Sequence, residues 1–219
     1  SERSEEPYDR FRGRLVFPIE SVVSRVVAFG GRVLDKGGKG RPKYLNSPES
    51  PIYWKSQVLY GLGSNRNAIR REGCALVVEG YMDVVALAAS GVTHAVATLG
   101  TAMTDEHAKL LARYAKNILL LFDSDDAGIR ATFKAADALL AQGVHPLVVT
   151  LPAGEDPDSL INAQGVSAFQ RLIDNARPFY HFQIDRLNES LNINDPRDRV
   201  SFANELAPSI SIIADSVAR

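Results

Sequence analysis

Thiols are almost absent: one cysteine, Cys74, stands in 219 residues. A lone thiol excludes an internal disulfide framework and a cysteine zinc site, and it suits a reducing cytoplasm. Long apolar runs are missing as well; none approaches about 18 residues, the length a membrane-spanning helix needs. The opening string SERSEEPYDRFRGR lacks the apolar stretch of a signal peptide and lacks an initiator Met, so the chain is expected to be an excised piece of a longer cytoplasmic protein. Neither a Gly-rich P-loop nor a G-x-S-x-G elbow occurs, which removes two common chemistries. What is present is ordinary for a globular protein: 45% apolar and 23% charged residues exclude wholesale disorder.

The net charge of −1 conceals unequal parts. Residues 1–72 hold 14 Lys and Arg against 8 Asp and Glu, a balance of +6; residues 73–158 hold 5 against 11, or −6; residues 159–219 come to −1. A basic block beside an acidic one suits a polyanion partner next to a site that gathers carboxylates, although two solvated surfaces give the same count. In the basic block RLVF (14–17), VVSRVVAF (22–29) and GRVL (31–34) are β-branched runs punctuated by Pro18 and Gly30–Gly31, which predicts a small antiparallel unit. Residues 35–65 read as loop-rich and carry the basic-aromatic string RPKYLNSP (41–48). Tyr44, beside Lys43, is its stacking candidate, whereas Tyr53 and Trp54 read as core packing.

From Ala75 the texture changes. LVVE (76–79), HAVA (94–97), ILLLF (118–122) and PLVVT (146–150) are continuous apolar runs, as in strands buried on both faces. Helical stretches at 81–90, 104–116 and 126–142 alternate with them, which implies βαβ crossovers and a parallel sheet. Thr104 is expected as an N-cap and Gly143 as the residue past a helix end. Beyond Pro157 the chain reads as helical, with breaks near Pro178, Asp195–Pro196 and Pro208.

Ligands of an open parallel sheet bind beyond the carboxyl ends of its strands. Glu79 ends the first run, Asp123 and Asp125 follow the third, and Glu155, Asp156 and Asp158 follow the fourth. Asp83 lies one helical turn past Glu79, where a helix N-terminus favours a carboxylate. Each could be a solvated loop residue, but their mutual repulsion makes such a gathering costly unless a cation offsets it. Hard oxygen donors without histidine point to Mg²⁺ or Mn²⁺, not zinc. The four histidines (His94, His107, His145, His181) are scattered and read as structural. An EF-hand is excluded because Lys134 occupies the twelfth position counted from Asp123, where a bidentate Glu is required.

VVEGYMDVVAL (77–87), LGTAMT (99–104), LLLFDSDDAG (119–128) and LPAGEDPDSL (151–160) resemble the Toprim module, whose Glu and D-x-D pair fall here on Glu79 and Asp123/Asp125. Together with FGGRVL (29–34), PKYLNSP (42–48) and YGL (60–62), they resemble the bacterial DnaG-type primases over essentially all of residues 10–219. The resemblance implies an α/β fold. Residues 1–72 would form a small, mostly β part with a basic groove, 73–165 a Toprim domain with flanking helices, and 166–219 a helical part. It implies template-directed synthesis of short RNA primers on single-stranded DNA by nucleotidyl transfer from ribonucleoside triphosphates. Glu79, Asp123 and Asp125 would be catalytic. The same three, with Asp83, Asp156 and Asp158, would face two or more Mg²⁺ or Mn²⁺ ions. Arg32, Lys43, Tyr44, Asn46 and Lys55 would line the groove for template and nucleotide. A zinc-binding module, a larger first half of the core and a helicase-binding region are expected outside these residues, so the fragment alone is expected to have little activity. SVVSR (21–25) departs from the family's polar turn. A Toprim nuclease or topoisomerase, or a non-catalytic single-strand binder, are the alternatives.

Overall fold

The computed structural model describes residues 8–34, 42–152 and 154–212. The basic residues of 35–41, part of the expected loop, lie outside them. A three-stranded antiparallel sheet comes first, formed by β1 (Arg14–Glu20), β2 (Val26–Val33) and β3 (Tyr44–Asn46). The SVVSR segment closes the β1–β2 hairpin: the Ser21 N–H donates to the Arg25 carbonyl at 2.8 Å, and Ser24 adopts φ 58°. The strand expected at 22–29 therefore starts later, and Gly30–Gly31 does not end it. Both glycines sit inside β2 because neighbours press on each face. A Cβ on Gly30 would meet the Tyr81 ring at 3.1 Å, and one on Gly31 would meet the Phe11 ring at 2.6 Å.

The second sheet has strand order β5-β4-β6-β7-β8, with β4 (Cys74–Val78), β5 (Ala95–Ala97), β6 (Asn117–Leu120) and β7 (Leu147–Val148) parallel and β8 (Arg177–Pro178) antiparallel at the edge. Its strands are apolar throughout because both faces are covered. Along β4, Ala75 and Val77 enter one core layer and Leu76 and Val78 the other, all at most 1% exposed. The first layer packs beneath α1 (Leu62–Glu72), α3 (Asp105–Ala112) and α4 (Asp126–Ala141). The second packs beneath α2 (Tyr81–Ala89), α5 (Pro157–Gln164) and α6 (Val166–Asp174). Full burial of one Leu or Val is worth about 1.5–3 kcal/mol, so these two layers dominate the fold's stability. A third cluster, centred on Phe17, Ile19, Tyr53, Tyr81 and Leu99, joins the small sheet to the start of α2.

Thr104 caps α3, and Gly143 closes α4 in a Schellman arrangement, with the Val144 N–H on the Leu139 carbonyl at 3.0 Å. Two helices also differ from expectation. Helix α1 occupies the end of the stretch read as loop; its Gly63 lies against the hairpin turn, where a Cβ would meet the Ser21 carbonyl oxygen at 2.4 Å. Pro178 and Pro196 do bound α7 (Phe179–Ser190) and α8 (Pro196–Ile212), but Pro208 lies inside α8. No described helix is long and apolar enough to cross a membrane.

Candidate active site

The carboxyl ends of β4, β6 and β7 open on one side of the sheet, facing the edge of β2 and β3. Between them lies a cavity of about 550 Å³. Glu79, Asp83, Asp123, Asp156 and Asp158 form one wall, and Arg32, Lys43, Tyr44 and Asn46 form the other.

Backbone geometry places the acids. Glu79 follows β4 directly and its Oε1 accepts the Asp123 N–H at 3.0 Å, which ties two strand ends together. Asp83 accepts the Gly80 N–H at 2.9 Å in a capping box at the start of α2. Asp156 caps α5 by accepting the Ser159 N–H at 2.7 Å. The backbone of Asp123 packs so closely on α4 that a Cβ at Gly128 would meet its carbonyl oxygen at 2.1 Å. Burial is the main reason that Glu79, Asp83 and Asp123 titrate above the usual carboxylate range. The charges of Asp123, Asp125 and Asp83 around Glu79, and of Asp156 beside both Asp83 and Asp123, push further the same way. A site that holds negative charge under strain in this way is suited to a cation.

On the opposite wall, the Arg32 guanidinium and the Lys43 Nζ lie 6.0 and 5.5 Å from the Tyr44 ring centroid. The Tyr44 ring meets Tyr81 edge-on at 5.4 Å. Asn46 Nδ2 donates to the Leu99 carbonyl at 2.9 Å, pinning β3 to the LGTAMT loop. Among the described residues, its Oδ1 and the Tyr81 hydroxyl are buried without a partner. Burial raises the Tyr81 phenol to about 12, so it stays protonated.

Two expected site residues point elsewhere. Asp125 is the N-cap of α4, with Oδ1 accepting the Gly128 N–H at 2.8 Å, and it does not line the cavity, although its charge reaches Glu79 and Asp123. Lys55 sits in a 3₁₀ turn at Lys55–Gln57, where its N–H donates to Glu49 and its carbonyl accepts from His107, away from the lining. Tyr53 is buried as expected, but Trp54 is 48% exposed. Conversely, Gly80, Tyr81, Met82, Ala86 and Gly100 line the cavity without having been singled out. The EGYMD and LGTAMT strings that contain four of them were the available signal.

All the candidate donors are carboxylate oxygens, which fit Mg²⁺ or Mn²⁺. Among the described residues no three His, Cys, Asp or Glu side chains close on one point as a ready cage. An ion held here would complete its shell with water or phosphate oxygens, as Mg²⁺ ordinarily does.

Comparison with known proteins agrees with this geometry. Residues 76–161 match the Toprim-like family, residues 1–66 the N-terminal domain of the DNA primase catalytic core, and residues 180–219 the DnaB-helicase binding domain of primase. The last match lies inside the chain, contrary to the expectation that the helicase-binding region falls wholly outside it. The DNA primase of Halalkalibacterium halodurans is 41% identical over 213 residues, covering 97% of this chain and 35% of that protein. The chain thus spans about a third of the length of the curated relatives it matches. A DNA primase domain from Pseudomonas aeruginosa superposes with a TM-score of 0.90 at 42% identity, covering all of this chain and 69% of that one. The DnaG primase catalytic domain bound to single-stranded DNA gives 0.84 at 40% identity, over 96% of this chain and 68% of that one. An acidic Toprim rim facing the basic strands of a primase N-terminal segment, in a chain this similar over its whole length, places the protein in the bacterial DnaG-type DNA primase family.

Proposed function

We propose that the chain is the nucleotide- and template-engaging part of a primase core, a nucleotidyltransferase that builds short RNA primers on single-stranded DNA at a bacterial replication fork. The observation that carries this reading is the facing of carboxylates and cations across one 550 Å³ cavity. Arg32 and Lys43 would hold triphosphate and template phosphates, and the Tyr44 face would receive a base. Glu79, Asp123, Asp83, Asp156 and Asp158 would hold two or more divalent ions, with Asp125 shaping the rim. Such ions offset the charge on the attacking and leaving oxygens of a phosphoryl displacement. The Glu79–Asp123 link keeps two acids from different strands in register before substrate arrives, which lowers the cost of positioning. Lys55, placed off the cavity wall, would contact nucleic acid only beyond it.

The division into 1–72, 73–165 and 166–219 is proposed on the same basis, with the qualification that α1 and β8 both pack on the central sheet. The helicase-binding match at 180–219 supports contact of the replicative helicase with α7 and α8.

Mn²⁺ titration followed by electron paramagnetic resonance tests the metal site. Binding should be weak alone and tighter with a ribonucleoside triphosphate, and Asp123→Asn should lose it. Equal binding by that variant would overturn the assignment.

A further inference from the structure

Two polar atoms of the main cavity's lining residues have no partner among the described residues: the phenolic oxygen of Tyr81 and Oδ1 of Asn46. Tyr81 is 4% exposed and starts α2, beside the carboxylates, whereas Asn46 ends β3 on the basic wall. Gly30 of β2, the register partner of Asn46, lets the two approach. A Cβ there would lie 3.1 and 3.2 Å from Cε1 and Cζ of Tyr81 and 3.2 Å from Asn46 Oδ1, so the hydroxyl end of the ring and the amide oxygen flank one point.

Their hydrogen-bonding capacities are complementary and unused. Asn46 Nδ2 is engaged by the Leu99 carbonyl at 2.9 Å, which leaves Oδ1 as the free acceptor. The phenol, protonated at neutral pH, offers a donor. Buried polar groups ordinarily find partners, and a bond left unmade opposes burial. A ligand that satisfies both with a single atom must accept one hydrogen bond and donate another. A hydroxyl does so; a phosphate oxygen, a carbonyl or an ammonium does not.

Position selects the hydroxyl. Tyr44 and Asn46 are two residues apart on β3 and share a face, about 6–7 Å from one another. With a base on Tyr44 and phosphates on Arg32 and Lys43, the sugar falls beside Asn46, and C2′ adjoins the carbon that bears the base. We propose that Tyr81 and Asn46 read the ribose 2′-hydroxyl of a bound nucleotide, Tyr81 donating to it and Asn46 accepting from it, and so select ribonucleoside over deoxyribonucleoside triphosphates. The proposal rests on the reading of the Arg32–Lys43–Tyr44 wall as a nucleotide site. The 2′-hydroxyl, donor and acceptor at once, is the group by which a protein tells ribose from deoxyribose. The Tyr81 ring packs against Phe17 at 4.9 Å and Tyr60 at 5.5 Å, which fixes the direction of the phenol. Both atoms are shielded from solvent, and the Tyr44 ring, 40% exposed and edge-on to Tyr81 at 5.4 Å, is the cover that a stacking base moves aside.

Calorimetric titration of the 219-residue chain with the Mn²⁺ complexes of ATP, 2′-deoxy-ATP, 3′-deoxy-ATP and inorganic triphosphate tests it. The parent should bind ATP about tenfold more tightly than 2′-deoxy-ATP, and 3′-deoxy-ATP nearly as well as ATP. Y81F keeps the ring and removes the donor, so its affinity for ATP should fall to that for 2′-deoxy-ATP. Its thermal midpoint without nucleotide should not fall, because the hydroxyl it loses is unpaired. N46A should narrow the same ratio from the acceptor side, and the parent's own ratio is informative whether or not either variant folds. R32A/K43A reports on the underlying site and should weaken binding of inorganic triphosphate. Equal parental affinity for ATP and 2′-deoxy-ATP, with triphosphate binding still weakened in R32A/K43A, would overturn the sugar reading and leave the nucleotide site standing. A preference for ATP that both Y81F and N46A retain, or a loss that follows the 3′-hydroxyl instead, would place sugar recognition elsewhere and overturn it as well. If R32A/K43A binds inorganic triphosphate as the parent does, both readings fall.

Discussion

Gly128 determines where a carboxylate stands although it carries no side chain. Its Cα sits so close to Asp123 that an added Cβ would meet that residue's carbonyl oxygen at 2.1 Å. Gly128→Ala should therefore force the D-S-D turn off α4, at a cost of about 1–3 kcal/mol for overpacking. The urea midpoint should fall and Mn²⁺ affinity should fall with it. Gly143→Ala makes the contrast: φ is +71° with open space around it, so the cost is backbone strain of about 1 kcal/mol and metal binding should not change. If both variants lost metal equally, the effect would be general loosening. Glu79 and Asp123 were legible from sequence because the end of a buried parallel strand has only one outlet. Asp125 and Lys55 were less so, because sequence position does not say whether a side chain turns to a cavity or to a backbone N–H. Tyr81 was missed because its ring belongs to a core cluster and only one edge meets the cavity.

Helix α3 shows how an element is held by one buried group. Fully buried His107 occupies its third position; Nδ1 accepts the Thr104 N–H at 3.3 Å, so Nε2 carries the proton and donates to the Lys55 carbonyl at 2.8 Å. Burial holds its pKa below the usual 6.5. As pH falls, the unfolded chain takes up this proton first. The stability that neutral His107 contributes is thus complete above about 6.5 and is lost as pH drops through the lower folded value. The rim carboxylates, raised in the fold, work in the opposite sense at lower pH, so the informative quantity is a difference between variants. Denaturation midpoints at about pH 7.5 and 5.5 should fall less in His107→Gln than in the parent, part of the remainder belonging to His94, which burial also lowers. Equal falls would mean that His107 is protonated in the fold.

Helix α8 makes a second case. Pro208 supplies no N–H for the Asn204 carbonyl one turn back, yet the helix continues through it; beside this turn, buried Gln183 of α7 donates to the Glu205 carbonyl and to Ser209 Oγ, both at 3.3 Å, and ties α8 to α7. Gln183→Leu removes both bonds and should cost about 1–3 kcal/mol by leaving buried acceptors unpaired. Sequence reading broke the helix at this proline because the packing of α8 on α7 is not visible in the sequence. It missed α1 for a related reason: Gly63 and the polar residues near it resemble a loop until the hairpin turn beside them is known.

At the scale of the whole molecule, the alternation of apolar runs with helices was enough to give the parallel sheet, because strands buried on both faces admit few other readings. The charge split was equally legible, with +6 over residues 1–72 and −6 over 73–158. The fold turns that split into two walls of one cavity. What the sheet and walls provide is electrostatics; what primer initiation requires is the simultaneous holding of a template and two nucleotides before any duplex exists, which is chiefly a problem of positioning. The chain covers about a third of the length of curated primases and 69% of the solved domain it superposes on. The additional segments of those relatives are available to grip the template beside the basic strands described here. Residues 1–219 alone should therefore bind Mn²⁺ and single strands but give negligible primer synthesis on a single-stranded template with Mg²⁺, at least a hundredfold below a full-length relative, a deficit of about 2.7 kcal/mol in transition-state stabilisation. Joining the chain to the N-terminal segments of such a relative should raise synthesis. The readout is extension of labelled ribonucleotides on a denaturing gel. Robust priming by the 219 residues alone would mean that the two walls suffice for positioning as well as for charge.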